Sequence, residues 1–262
     1  MKVLMIGDIV GRAGRRAVRE LLPVIKEEYE IDFVIANGEN AAGGFGLTEA
    51  VVENLTDYGI DLLTTGNHTW DNKDIFEFIN KTTRVIRPYN YPTQVPGVGI
   101  KIIEKEYLSL GVINLIGRVY LGDYNCPFRS LDQAVEKVVD KVDGIVVDFH
   151  AEATSEKEAL GWYADGKVGA VVGTHTHVQT ADERVLPHNT AYMTDLGMTG
   201  AIDSILGMNI DEPLERFLTQ MPQRFKVATG DTQLCGLMVD IDDKTGKAKK
   251  VKRITRIHKL NS

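Results

Sequence analysis

Five short polar motifs, each set directly behind an apolar run of strand length, constrain this sequence more than any other feature. They are GDIVGR around Asp8, NGEN around Glu39, GNHTWD around Asn67, FHAE around His150 and GTHTHVQ around His175. In an open α/β sheet the carboxyl ends of parallel strands form the edge where ligand sites assemble, so motifs scattered along the chain can meet there. The side chains delivered are Asp8, Glu39, Asn67, His150, His175 and His177, an oxygen and nitrogen set without a thiolate. Such donors suit Fe, Mn or Zn. Each residue alone has an ordinary explanation: a lone His at a strand end is more often structural, Glu39 could cap a helix beginning near Leu47, and Asp8 could likewise be a helix cap. Jointly they point to one metal centre, because independent structural reasons would have to place all six at matching strand ends. His175 and His177, two residues apart, would present both rings on one face of an extended chain.

Short apolar runs alternate with longer amphipathic ones through the first half, the pattern of strands linked by crossover helices. Strands are predicted at residues 3–7, 33–36 and 62–65, and helices at 15–28, 48–58 and 73–80. The proline-rich segment PYNYPTQVP (88–96) reads as an irregular loop and a candidate rim of the site. Strands at 100–103 and 108–116 form a hairpin before a helix at 131–142. Further strands follow at 145–149, 168–172, around 191–194, 234–241 and 249–257, the last two turning at DDKTG. No repeat, low-complexity tract or linker breaks the chain, so a single domain over residues 1–262 is expected.

A formal charge of −7 argues against a general nucleic-acid tracker, which binds by neutralising phosphates. Cys126 and Cys235 are isolated, which fits a reducing cytoplasm better than a disulfide framework or a structural zinc site. Asp8 interrupts the apolar opening and Arg12, Arg15 and Arg16 follow it, so no signal peptide is read. The stretch KAKKVKRITRIHK reads as an amphipathic strand with a solvated charged face. Gly43, Gly44 and Gly46 lack a following GK[ST] and read as a helix entry. His188 and His258 read as structural, and Tyr89, Tyr91 and Tyr124 as packing residues more than as base-stacking ones. Residues 197–208, GMTGAIDSILGM, read as a loop able to cover a site or meet a partner subunit.

With GDIVGR, NGEN, GNHTWD, FHAEATSEK and GTHTHVQTAD in this order, the whole chain resembles the YmdB-type branch of the calcineurin-like metallophosphoesterases. GNH and GTHTH are shared with many metallophosphoesterases, whereas GEN and the intact FHAEATSEK are particular to this branch. The resemblance implies a four-layer α/β sandwich, two mixed sheets flanked by helices. It also implies a phosphodiesterase that opens cyclic nucleotides, chiefly 2′,3′-cyclic and also 3′,5′-cyclic ones, by hydroxide attack at a dinuclear centre. On this resemblance Asp8, Glu39 and His177 hold one metal, and Glu39, Asn67, His150 and His175 the other, with Glu39 as the bridge. The ions would be divalent or mixed-valence, Fe or Mn first and Zn next. His68 matches the family's general acid, and Asn40 is a candidate outer support of the ligands that could instead simply turn the chain. A small phosphodiester substrate, no membrane partner, no strong general nucleic-acid binding and a homo-oligomer are implied.

Where the wider superfamily carries Asp-x-His, Ile9 and Val10 follow Asp8, so one His ligand is missing, and Glu39 stands where a bridging Asp is usual. Two other readings compete. A dinucleotide-binding oxidoreductase fails because Gly7, Gly11 and Gly14 do not form GxGxxG, and Asp8 would repel a pyrophosphate. A metal-dependent regulator that binds a nucleotide or protein with little turnover is separated from an enzyme by a hydrolysis assay.

Overall fold

Burial with a period of two explains how the chain stacks. In β1 (Lys2–Ile6), Val3 and Met5 pack on one side and Leu4 and Ile6 on the other, and all four are buried. A strand with two dry faces lies inside a sheet that is covered on both sides. The computed structural model describes residues 1–260. After β1 come β2 (Asp8–Ile9), α1 (Gly11–Tyr29), β3 (Phe33–Asn37), α2 (Glu49–Asp57), β4 (Leu62–Thr64) and a single turn, α3 (Ile75–Phe78). The middle holds β5 (Ile100–Lys105), β6 (Leu108–Ile116), α4 (Pro127–Val138), β7 (Gly144–His150), α5 (Thr154–Ala164) and β8 (Ala170–Thr174). The remainder is β9 (Arg184–Val185), β10 (Ala191–Met193), β11 (Met198–Ala201), α6 (Asp211–Thr219), β12 (Thr232–Ile241) and β13 (Ala248–His258).

Two mixed sheets result. In the first, β1, β3 and β4 run parallel, and β12 lies antiparallel between β1 and β13. The near end of β12 instead pairs with β11, which carries β2 alongside. In the second, the order is β5-β6-β7-β8-β10-β9, parallel from β6 to β10 with antiparallel edges. Val3, Met5, Phe33 and Ile35 of the first sheet meet Leu110, Val112, Val146 and Val172 of the second in one core. The outer face of the first sheet packs on Val18, Leu22, Val52 and Leu55 of α1 and α2. The outer face of the second packs on Leu131, Ala134 and Leu160 of α4 and α5. Helices, sheet, sheet, helices is the four-layer arrangement expected, and each fully buried Leu, Val or Phe in it stabilises by ~1.5–3 kcal/mol.

Several boundaries differ from the pattern-based expectation. Helix α1 starts at Gly11, four residues early, because Gly14 packs where a Cβ would lie 2.3 Å from the Thr199 carbonyl oxygen. Close packing there overrides glycine's poor helix propensity. The helix expected at 73–80 shrinks to α3, and α4 begins at Pro127, a residue preorganised for a first turn. Helix α5 breaks the apolar pattern because its buried face includes Glu156 and Lys157. Residues 198–201 of the expected loop are a buried strand, β11. On β13, Lys249, Arg253 and Arg256 pair with Asp242, Glu183 and Glu28. Among the described residues no helix is long and apolar enough to cross a membrane.

Candidate metal centre

All five motifs arrive at the carboxyl edges of the two sheets. Asp8 sits just past β1, Glu39 two residues past β3, Asn67 three past β4, His150 at the last position of β7 and His175 one past β8. The first sheet thus supplies the two carboxylates and the amide, and the second supplies the imidazoles. Neither acid is a helix cap: Val10 precedes α1, and Thr48 caps α2 by accepting from the Val51 N–H at 3.3 Å.

One group of donors converges on His150 Nε2. Glu39 Oε1 lies 3.0 Å from it, Asn67 Oδ1 2.9 Å and His175 Nδ1 3.0 Å. Adjacent ligands of an ion bound at about 2.1 Å stand about 3 Å apart, so this spacing fits a coordination shell. A second group forms around Asp8 Oδ1, 3.7 Å from His177 Nε2 and 3.9 Å from His150 Nδ1. That buried oxygen has no hydrogen-bond partner among the described residues, whereas Asp8 Oδ2 accepts from the His175 N–H at 3.1 Å. A carboxylate oxygen stripped of water and left unpaired is costly unless a cation serves it.

The outer nitrogen of each imidazole is engaged. Thr174 Oγ1 donates to Asp148 Oδ1 at 2.7 Å, so it can only accept from His150 Nδ1–H at 3.0 Å. Glu152 Oε2 lies 3.1 Å from His175 Nε2, and the Leu206 carbonyl accepts from His177 Nδ1–H at 3.1 Å. Each ring therefore directs its inner nitrogen at the cluster, where it can ligate a metal once it carries no proton. His175 and His177 do not lie on an extended chain as expected: their φ angles are 102° and 65°. The left-handed turn sends His175 to His150 and Glu39, and His177 to Asp8.

Buried charge governs the titration here. Burial alone would lower the His150 pKa, but Glu39 and Asp8 outweigh it and hold the imidazole at about 9. Burial would raise Glu39, yet His150 brings it to about 2. Asp8 is pushed up by burial, Asp148 up to about 6, and His175 down to about 3 by burial and then by His150. Among the protein's own groups, a proton on His150 Nε2 thus answers the carboxylates, and a cation would take its place.

His68 stands beside this cluster. Its backbone N–H donates to Glu39 Oε2 at 3.1 Å, its Nδ1 lies 2.7 Å from Asp71 Oδ2, and the ring of Phe45 meets it edge-on at 5.0 Å. Asn40 makes no side-chain hydrogen bond to the six donors: its Nδ2 donates to the Gly44 carbonyl at 3.0 Å, which ties down the glycine turn, and its Oδ1 is buried without a partner among the described residues. Ile9 and Val10, where the superfamily would place a His, are buried in the core. Tyr91 packs on Tyr124 and Trp70 and donates to the Gly66 carbonyl, so it is a wall of the site.

Supporting residues other than Asp195 lie within the motifs, in places to which strand position alone gave no role. Asn37 accepts from the Glu39 N–H at 3.1 Å, and its amide nitrogen donates to Asp148 Oδ2 and Thr174 Oγ1, each at 3.4 Å. FHAEATSEK supplies three supports: Glu152 to His175, Glu156 to the N–H groups of Arg118 and Val119, and Lys157 to Asp195 at 2.7 Å. Asp195 in turn accepts from Thr176 and Gly197, which anchors the turn bearing both histidines.

Residues 4–254 match a family described as YmdB-like protein. The chain is 52% identical over 254 residues to a 2′,3′-cyclic-nucleotide 2′-phosphodiesterase of Bacillus subtilis (strain 168), covering 97% of this chain and 96% of the relative. Among solved structures, a hypothetical protein from Thermus thermophilus superposes with a TM-score of 0.92 at 42% identity, covering 98% and 99% of the two chains. A novel phosphatase from Mycoplasma pneumoniae gives a TM-score of 0.92 at 33% identity, covering 99% and 94%.

Proposed function

Since the chain belongs to the YmdB-like protein family, we propose that it is a metal-dependent phosphodiesterase, with residues 1–262 acting as one catalytic unit. The observation that carries this reading is the set of three imidazoles whose outer nitrogens are engaged while their inner ones face Glu39, Asn67 and Asp8. Asp8, Glu39 and His177 would hold one ion, and Glu39, Asn67, His150 and His175 another, with Glu39 shared. Fe or Mn is the expected metal, and Zn suits the same donors. Two bound ions would supply Lewis acidity, polarising phosphate oxygens and making a water acidic enough to give hydroxide near neutral pH.

The chain's own residues supply the rest. His68 engages Asp71 through Nδ1, which fixes its ring, so Nε2 is the atom left to deliver a proton to the leaving oxygen. Its backbone N–H steadies the shared carboxylate of Glu39. Thr174, Glu152 and Leu206 set the imidazole tautomers.

For substrates, 2′,3′-cyclic nucleotides stand first, as the name of the Bacillus relative says of that protein, and 3′,5′-cyclic nucleotides second. The strained five-membered phosphate ring of the former opens readily. Two free cysteines suit a cytoplasmic location. Exposed Leu214, Phe217 and Leu218 on α6 suit a homo-oligomer.

The test is turnover of bis-p-nitrophenyl phosphate and of both cyclic nucleotide classes before and after exhaustive chelation. Activity should vanish on chelation and return with Mn²⁺. Binding without hydrolysis would favour the regulator reading, and undiminished turnover after chelation would end the metal-centre reading.

A further inference from the structure

The loop at 88–99 and one face of α4, from Arg129 to Lys137, enclose a cleft of about 790 Å³, a volume within the range of small-molecule sites. In a chain of net charge −7 its lining includes Arg87, Arg129 and Lys137 and no carboxylate. Asp132, on the same helix as Arg129 and Lys137, pairs with Lys167 instead. Arg87 is only 6% exposed and donates to the carbonyls of Pro88, Val95 and Pro96. A guanidinium has five N–H groups, so two remain without a protein partner among the described residues. Lys137 Nζ donates to Tyr89 Oη at 2.8 Å and stands 5.0 Å from the centre of that ring. Asn90 fixes the loop by donating to the carbonyls of Ile116 and Asn125 at 2.8 and 2.9 Å.

Cations gathered without acids beside an aromatic ring are a site for a phosphate attached to a flat base. Tyr91 links the cleft to the segment that carries Asn67: it lines the cleft and donates to the carbonyl of Gly66, the residue before Asn67, at 3.0 Å. We infer that this cleft binds the nucleotide next to the cyclic one, its phosphate on Arg129 and Lys137 and its base against Tyr89. The preferred substrates are then short oligonucleotides ending in a cyclic phosphate. The inference rests on the proposed hydrolysis of cyclic phosphates and names the substrate class of that site.

The experiment compares kcat/KM of the Mn²⁺-loaded protein for a 2′,3′-cyclic mononucleotide and for a dinucleotide ending in the same group. The dinucleotide should be favoured at least about tenfold, through KM, and Arg129→Ala and Lys137→Ala should each cut that ratio several-fold. Its salt dependence should flatten by about 0.7 in log–log slope for each phosphate no longer neutralised by a side chain. Equal kcat/KM for the two substrates, or a ratio unmoved in both variants, overturns the inference. If neither substrate is hydrolysed, the catalytic reading fails, and the cleft is judged by calorimetric titration of a dinucleotide ending in a 3′-phosphate. Binding weakened in both variants upholds the site, and equal binding in all three proteins removes it.

Discussion

Thr174 Oγ1 lies 3.0 Å from His150 Nδ1 and gives its own proton to Asp148, so this hydroxyl fixes which nitrogen of His150 faces the carboxylates. Thr174→Val keeps the shape and removes the acceptor. Its metal affinity should fall about 10–100-fold, as for other outer partners of ligating histidines. Competition with a fluorescent chelator measures this, and wild-type affinity in the variant would show that the tautomer is set elsewhere.

His68→Ala removes the imidazole held by Asp71 and leaves the backbone N–H on Glu39 in place. Bound metal should be retained while kcat falls about a hundredfold or more, the scale of a lost general acid. Elemental analysis beside a steady-state assay tests both halves, and full activity would remove His68 from the mechanism.

Glu39→Gln strikes a carboxylate that is 1% exposed and lies 3.0 Å from His150 Nε2. An amide cannot serve two cations as an anion does, so metal content and activity should fall together. Unchanged occupancy by elemental analysis would contradict the shared-ligand role.

Lys157→Met leaves Asp195 buried without its cation, while Thr176 and Gly197 still donate to it. Removing one partner of a buried ion pair costs about 3–5 kcal/mol. Thermal or urea unfolding of metal-free protein should show that loss, and a melting temperature equal to wild type would mean water replaces the ammonium.

Asp8, Glu39, Asn67, His150 and His175 are legible in sequence because each interrupts an apolar run at a strand end. The hairpin of β12 and β13 is legible because its alternation is long. Helix α5 is not: Glu156 and Lys157 face inward because one holds the N–H groups after β6 and the other holds Asp195, so the apolar period is broken by support for the site. The turn at His175 and His177 is equally hidden, since positive φ at two non-glycine residues comes from anchoring by Asp195, which no local pattern announces. Asn37 and Thr174 end their strands as ordinary polar residues, and only the neighbouring sheet shows what they touch.

Strand β12 pairs with β1 from Lys2–Asp240 to Ile6–Gly236, so the first sheet closes only through residues near the far end of the chain. On a ribosome, the segments bearing Asp8, Glu39 and Asn67 emerge long before their sheet has its central antiparallel strand. Without β12, β1 keeps β3 alone as a sheet neighbour among the described residues. Such distant pairing is slow to form, so the donor edge of the first sheet is complete only once β12 has joined β1.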